Sequence, residues 1–241
     1  MNPLQLRKLT GSLFIAGAIL VNIPYALLIA NFDYPDILRE PAGDVLTQFH
    51  AGGTSLVFMW LSFAWVGLPL LFAIVFLQQA MGERESSLLK VATVAGVIGC
   101  ITQMIGLLRW VFVVPILART YADPASSDAS REAAVVGFQA IHQYGGVVMG
   151  EHLGQTFTIL WMLLVSIAMF NSRIFRPWLA WFGLAASAVY ALAQTELLAT
   201  VIPEFPVVPE SGLIGSLLWL GWMIAMGIVL LRAKPKISSS T

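Results

Sequence analysis

The chain has 241 residues, of which 58% are hydrophobic and 11% are charged, and its formal net charge is zero. Soluble domains carry about 25% charged residues, so this composition excludes an ordinary soluble domain and predicts a single integral membrane domain, residues 1–241. The only cysteine is Cys100, which excludes an internal disulfide and a cysteine metal cluster.

Six apolar segments have the length of roughly 20 residues that a helix needs to cross a bilayer. They lie near 12–31, 53–78, 91–118, 143–170, 177–200 and 212–232. The first follows Arg7 and Lys8, as in a signal peptide, but it exceeds the roughly 7–15 residues of a signal peptide's apolar region. The sequence therefore predicts an all-α, polytopic bundle of six transmembrane helices.

The segment from Ser130 to Phe170 is too long for one perpendicular spanning helix. At 1.5 Å per residue, about 40 residues would be twice the hydrocarbon thickness. The pair Gly145 and Gly146 is a natural place for a bend. We therefore expect an outer-surface helix near 130–143 that leads into a spanning helix near 147–170. In none of the spans does the sequence show a midplane helix break.

Charges outside the spans differ between the two sides of the predicted bundle. The side with both termini has basic residues (Arg7, Lys8, Arg84, Lys90, Arg173, Arg176, Arg232, Lys234, Lys236) and two acidic ones (Glu83, Glu85). The other side has mainly acidic residues (Asp33, Asp36, Glu40, Asp44, Asp123, Asp128, Glu132, Glu204, Glu210), with Arg39, Arg119 and Arg131 among them. Excess Lys and Arg in short loops marks the cytoplasm. We predict cytoplasmic N and C termini in a multi-pass protein of the inner (plasma) membrane, surrounded by lipids.

Three charges remain inside apolar segments: Arg109, Glu151 and Glu196. Intramembrane ionisable residues are costly and face a bundle interior, a partner or water, which makes them candidates for a site. Counting along spans of alternating direction places all three in the outer third of the membrane. We expect Arg109 to pair with Glu151, with Glu196 as a second acceptor.

Helical spacing predicts which way these charges point. Arg109 is aligned with Gly106 and Thr102, and small residues allow close helix packing in lipid, so Arg109 should face protein. A small or polar stripe on the fourth span comprises Tyr144, Glu151, Gly154, Gln155 and Thr158, with His152 beside it.

Three stretches resemble a known family: GLLRWVFVVPILARTY (106–121), VGFQAIHQYGGVVMGEHLGQTFTILWMLLV (136–165) and LGWMIAMGIVLLR (220–232). The chain resembles the domain of unknown function 4386 family, uncharacterised six-helix bacterial inner-membrane proteins. The resemblance implies a compact helical bundle and brings no reaction, substrate or cofactor with it. It emphasises the matching positions Arg109, Trp110, Tyr144, Gly150, Glu151, His152 and Gly154.

Two interpretations of the buried charges stay open: a salt bridge that only fixes helix register, or an outward-opening, water-accessible pocket. The pocket hypothesis rests on three helices that present ionisable groups at one depth. A mostly apolar pocket with a few polar groups would suit a small amphiphile such as a lipid or quinone. Its predicted ligand-binding residues are Arg109, Trp110, Tyr144, Glu151, His152, Gln155 and Glu196.

Other functions remain as alternatives. A membrane enzyme could use Glu151, His152 and Glu196 as acid–base groups, although no nucleophile signature supports hydrolysis. Binding of b-type haem or a metal would have only His50, His142 and His152 as secondary candidates. Proton-coupled transport would need a path across the membrane, which homo-oligomerisation could complete. No cofactor is assigned, and no basic run or phosphate loop predicts a nucleic-acid or nucleotide partner.

Overall fold

The computed structural model describes residues 1–82 and 86–233, and within those ranges it contains helices and no strand. Six helical segments are long and apolar enough to cross a membrane, which confirms the predicted six-span, all-α class. They are Pro3–Phe32, Ala42–Met81, Ser87–Ala122, Asp128–Phe170, Pro177–Ala199 and Ser211–Arg232. The cytoplasmic location of the termini stays a prediction. Five charges that enter it (Glu83, Arg84, Glu85, Lys234, Lys236) lie outside the described residues.

The helices in chain order are α1 (Pro3–Leu20), α2 (Asn22–Phe32), a 3₁₀ helix (Asp36–Arg39), α3 (Ala42–Trp65), α4 (Gly67–Met81), α5 (Ser87–Phe112), α6 (Val114–Ala122), α7 (Asp128–Ile141), a π-helix (His142–Leu153), α8 (Gly154–Phe170), α9 (Pro177–Leu192), α10 (Gln194–Ala199) and α11 (Ser211–Arg232).

Several spans extend beyond their apolar segments. The second begins at Ala42, eleven residues ahead of the predicted start, with a non-helical kink at Gly53 (φ 57°, ψ −151°), and the fourth begins at Asp128. Polar residues at these ends do not stop a helix, and Ser127 starts α7 by accepting a hydrogen bond from the Ser130 backbone N–H at 3.2 Å. The 43-residue fourth segment is about 65 Å long, so it cannot lie wholly in hydrocarbon when perpendicular to the membrane.

Three spans are interrupted just ahead of a proline, which differs from the unbroken helices predicted from the sequence. The interruptions fall at Val21, Val66 and Val113, and the prolines are Pro24, Pro69 and Pro115. Proline lacks a backbone N–H, and its ring clashes with the carbonyl four residues earlier, so the regular hydrogen-bond pattern breaks. Apolar composition alone predicts the span but not this interruption.

The fourth span contains a π-helix where a bend was predicted. The helix runs without interruption from Asp128 to Phe170, and His142–Leu153 has π geometry between α7 and α8. A helix is therefore present near 130–143 as α7, and its place on the outer surface stays a prediction. Gly145 and Gly146 lie inside the π-helix and do not end it. A π-helix has i→i+5 hydrogen bonds and is rare beyond a single turn, and it is frequent at functional sites.

The chain divides into two compact units. The first unit consists of Met1–Ile19, Leu68–Cys100 and the chain from Gln155 onward, and the second unit consists of Leu20–Gly67 and Ile101–Gly154. The prediction of one integral membrane domain stays a prediction, and each unit is described by itself.

The first unit is built around two buried tryptophans, Trp161 and Trp222, whose rings meet edge to face with 5.4 Å between centroids. Nε1 of Trp222 donates a hydrogen bond to the Leu179 carbonyl at 3.0 Å, which joins α11 to α9. Gly11 and Gly227 lie backbone to backbone, because a Cβ on either would be 2.7 Å from the other's carbonyl oxygen. Small residues thus bring α1 and α11 together, as is common in membrane helices.

Candidate functional site

An aromatic cluster forms the core of the second unit: Phe32, Phe49, Trp60, Trp110 and Phe138. Trp110 and Trp60 stack with 4.8 Å between centroids and 10° between planes, and both are fully buried. Phe49 stacks on Trp110 at 5.7 Å, and Phe138 packs against it at 5.9 Å. Such pairs contribute about 0.5–1.5 kcal/mol each beyond the area they bury. The cluster therefore holds α2, α3, α5 and α7 around Trp110.

Arg109 lies beside this cluster and is only 7% exposed, in agreement with its predicted orientation toward protein. Its Cζ is 5.1 Å from the centroid of the Trp110 ring, and its Nη1 donates a hydrogen bond to the Gly106 carbonyl. The guanidinium lies on the backbone of Gly146, where a Cβ would be 2.6 Å from Nη2. The cation is thus fixed by an aromatic face, a carbonyl and a glycine.

The π-helix contacts α5 backbone to backbone. A Cβ on Gly106 would be 2.5 Å from the Gly150 Cα and 3.0 Å from the Gly145 carbonyl oxygen. Gly145 and Gly150 are five residues apart, which is the hydrogen-bond spacing of a π-helix, so both meet the same α5 residue. Nε2 of Gln103 donates to the Gly154 carbonyl at 3.3 Å and extends the contact.

Glu151 forms an ion pair with Arg39, a residue that the sequence places in an outer connection. Its Oε2 is 3.9 Å from Nη2 of Arg39, at the end of the 3₁₀ helix. Nη2 of Arg39 contacts the Glu151 carboxylate, and Arg109 lies within electrostatic range of the same carboxylate. Arg39 therefore makes a direct contact with Glu151, and the expected Arg109–Glu151 pair stays a prediction.

An open depression adjoins Arg39. Its cavity volume is about 370 Å³, and its lining residues are Leu38, Arg39, Glu40, Pro41, Ala42, Phe138, Gln139, His142 and Gln143. Two chain segments form it: the connection from the 3₁₀ helix to α3, and the junction of α7 with the π-helix. We refer to it below as the Arg39 depression.

His142 connects the Arg39 depression with the aromatic cluster. Its ring stacks on Phe138 with 5.3 Å between centroids and meets Trp110 edge to face at 6.3 Å. It lines the depression together with Leu38 and lies within electrostatic range of Arg109. From the sequence, His142 is a secondary metal candidate. Phe138 lies four residues before His142, and this spacing indicates that the two rings pack against each other.

Other predicted residues occupy different surroundings. Tyr144 is 65% exposed, and His152 and His50 are exposed as well. The predicted stripe from Tyr144 through Glu151 assumed α-helical spacing, which does not hold in the π-helix. Among residues 1–82 and 86–233, no group of three or more His, Cys, Asp or Glu side chains is placed to hold a metal ion.

Gln155 and Glu196 belong to the first unit. Gln155 accepts a hydrogen bond from Nε2 of Gln194 at 2.8 Å, which joins α8 to α10. Thr195 Oγ1 accepts one from the Val208 backbone N–H at 3.1 Å, and Glu196 itself is exposed. The meeting of Glu196 with Arg109 stays a prediction.

Comparison with known proteins gives one match. A family model described as Domain of unknown function (DUF4386) matches residues 9–227, which include every predicted site residue. This confirms the resemblance seen in the stretches around Arg109 and Glu151. No curated protein and no solved structure matches the chain.

Proposed function

The chain belongs to the Domain of unknown function (DUF4386) family, and we propose that it is a membrane protein that binds a small amphiphile at the Arg39 depression. The observation that carries this proposal is the cavity volume of about 370 Å³ together with its mixed lining. Ligand pockets have volumes of about 300–1,000 Å³ and combine apolar walls with a few polar groups. The lining of the depression exposes more polar than apolar surface: Arg39, Gln139 and His142 supply polar groups, and Leu38, Pro41 and Phe138 supply the apolar part.

The supports behind the depression are rigid. Phe138 and His142 pack on Trp110, and Trp110 packs on Trp60. Sites built on fixed helices hold their geometry more accurately than sites on loops. In this proposal Trp110 and Arg109 support the site from the core, and the half-exposed Arg39 meets the head of the ligand.

None of the predicted ligand-binding residues lines the depression. Contact of Tyr144, His152, Gln155 and Glu196 with a ligand stays a prediction. Catalysis by Glu151, His152 and Glu196, haem binding and proton-coupled transport have no comparable geometric support among the described residues.

The proposed location is the inner (plasma) membrane, with both termini in the cytoplasm. The 3₁₀ helix of the depression lies in the first connection after the N-terminal span. With a cytoplasmic N terminus, that connection is extracytoplasmic. The proposed ligand would then enter from the outer face or from the outer leaflet.

Filling the depression tests the proposal. Gln139→Trp places a large side chain in the lining, whereas Ala140→Trp places the same side chain on the next, exposed position of α7 outside it. Dodecanoate and dodecanol, which share a tail, serve as probes, and native mass spectrometry of the full chain measures the bound fraction. We expect Gln139→Trp to lower binding about tenfold and Ala140→Trp to leave it unchanged.

Two results would contradict the proposal. One is that the wild-type protein binds neither probe. The other is that Gln139→Trp and Ala140→Trp bind them equally well. Matching thermal unfolding of the two variants would show that a difference in binding comes from the depression and not from misfolding.

A further inference from the structure

We infer, resting on the proposed function, that the ligand of the Arg39 depression is an amphiphile with an anionic head, a carboxylate or a phosphate. When this ligand binds, Arg39 leaves the Glu151 carboxylate and contacts the head of the ligand. The inference starts from the charges around the depression. Arg39 is in direct contact with the Glu151 carboxylate, and Arg109 lies within electrostatic range of it. Glu40 also lines the depression, but it is exposed, and water and salt screen exposed charges.

The contact between Arg39 and Glu151 is suited to exchange. The two charged atoms are 3.9 Å apart, and the side chains are 40% and 25% exposed. Exposed ion pairs of this kind contribute little to stability, so a ligand can replace one partner at low cost. An arginine fork also matches the geometry of carboxylate and phosphate groups, with which it forms two parallel hydrogen bonds.

Arg109 stabilises the Glu151 carboxylate after the exchange. It is 7% exposed and is held by the Gly106 carbonyl and the Trp110 face, so it is too buried to meet a ligand in the depression. It still lies within electrostatic range of Glu151. When Arg39 turns to an anionic head, the Glu151 carboxylate therefore keeps a fixed cation nearby. The half-exposed Arg39 binds the head of the ligand, and the buried Arg109 stabilises the Glu151 carboxylate that Arg39 has left.

The test compares three probes with the same tail: dodecanoate, dodecyl phosphate and dodecanol, at a pH well above the carboxyl pKa. Binding to the full-length protein is measured by native mass spectrometry titration. We expect the wild type to bind both anions about tenfold more tightly than dodecanol. Arg39→Gln should bring the affinities for the anions and for dodecanol close together, and Arg39→Lys should keep part of the preference because it keeps the charge.

The variant Glu151→Gln tests whether the ligand head replaces Glu151 as the partner of Arg39, or is only attracted by the positive charge. It removes the carboxylate that competes for Arg39, so dodecanoate should bind about threefold or more tightly than in the wild type. Weaker binding of dodecanoate by Glu151→Gln would overturn the exchange. Retention of the full preference for anions by Arg39→Gln would overturn the role of Arg39.

The outcomes distinguish this inference from the proposed function. Equal binding of dodecanoate and dodecanol by the wild type, with loss of both in Gln139→Trp, would overturn the anionic head and keep the amphiphile site. Binding of neither probe would overturn both. Thermal unfolding of Arg39→Gln and Arg39→Lys close to the wild-type value would show that their binding data report on the site.

Discussion

Gly146 is the residue on which the position of the buried cation depends. A Cβ there would be 2.6 Å from Nη2 and 2.7 Å from Cζ of Arg109, whereas a Cβ on the neighbouring Gly145 would be 3.5 Å from the Arg109 Cδ. The first distance requires the guanidinium to move, and the second is ordinary van der Waals contact. Because Gly146 has no side chain, the Arg109 guanidinium has the space to lie beside the Trp110 ring.

These two glycines form a matched pair of variants. We expect Gly146→Ala to lower the free energy of unfolding by about 1–3 kcal/mol, because the guanidinium must leave a closely packed position. Gly145→Ala should change it by less than about 0.5 kcal/mol, as substitutions without a clash do. Denaturant unfolding of both variants in the same detergent measures the difference. Equal stability of the two would show that Arg109 has room to move.

Two of the charges in the site could be predicted from the sequence, and the third could not. Arg109 and Glu151 stand out because they interrupt apolar segments, where a charge is costly. Arg39 was counted among the outer-loop charges, although it is the only basic residue in a connection that also holds Asp33, Asp36 and Glu40. Its contact with Glu151 depends on how the 3₁₀ helix folds back, which helical periodicity does not encode.

At the scale of elements, the contact between α5 and the π-helix is made by backbone and not by side chains. Gly106 meets Gly150 and Gly145 at distances that leave no space for a Cβ. From the sequence alone, the Gly145–Gly146 pair predicts a bend in the helix, since glycine weakens a helix. The structure shows that these glycines instead allow close approach, which depends on a partner helix that local sequence does not reveal.

Substitution of Gly106 tests this contact. A Cβ at Gly106 would be 2.5 Å from the Gly150 Cα, which cannot rotate away, whereas one at Gly137 would be 3.3 Å from the mobile Leu117 Cδ2. Gly106→Ala should therefore lower the free energy of unfolding by about 1–3 kcal/mol, and Gly137→Ala should not lower it.

The double variant Gly106→Ala/Gly150→Ala provides the control. It should lose less stability than the sum of the two single variants, because the first substitution already separates the two backbones. Denaturant unfolding measures all three free energies. Simple additivity would mean that Gly106 and Gly150 are not coupled.

At the scale of the whole molecule, composition was sufficient to predict the class and the number of spans. Six helical segments of the described residues are long and apolar enough to cross a membrane. The ends of those segments were predicted less well, since polar residues after Ala42 and Asp128 continue the helix, in the first case as far as Gly53. The division into two compact units depends on contacts between distant segments, which a hydropathy pattern does not contain.

Labelling of single cysteines tests the predicted orientation. Cys100→Ala removes the native thiol, and then Ala125→Cys and Asn171→Cys place one thiol in each of two connections between spans, at exposed positions. With cytoplasmic termini, a membrane-impermeant maleimide added to right-side-out vesicles should label residue 125 and not residue 171. The reverse pattern would place the Arg39 depression on the cytoplasmic side.

The prolines that interrupt three spans have a consequence for motion. Each leaves a carbonyl oxygen without its regular partner, and in an apolar environment such a group must be satisfied by a neighbour or by water. Opening a helix costs least where its hydrogen-bond ladder is already incomplete. Breathing of the backbone should therefore start beside Pro24, Pro69 and Pro115, while α11, which has no proline, should be among the last segments to exchange its amide hydrogens.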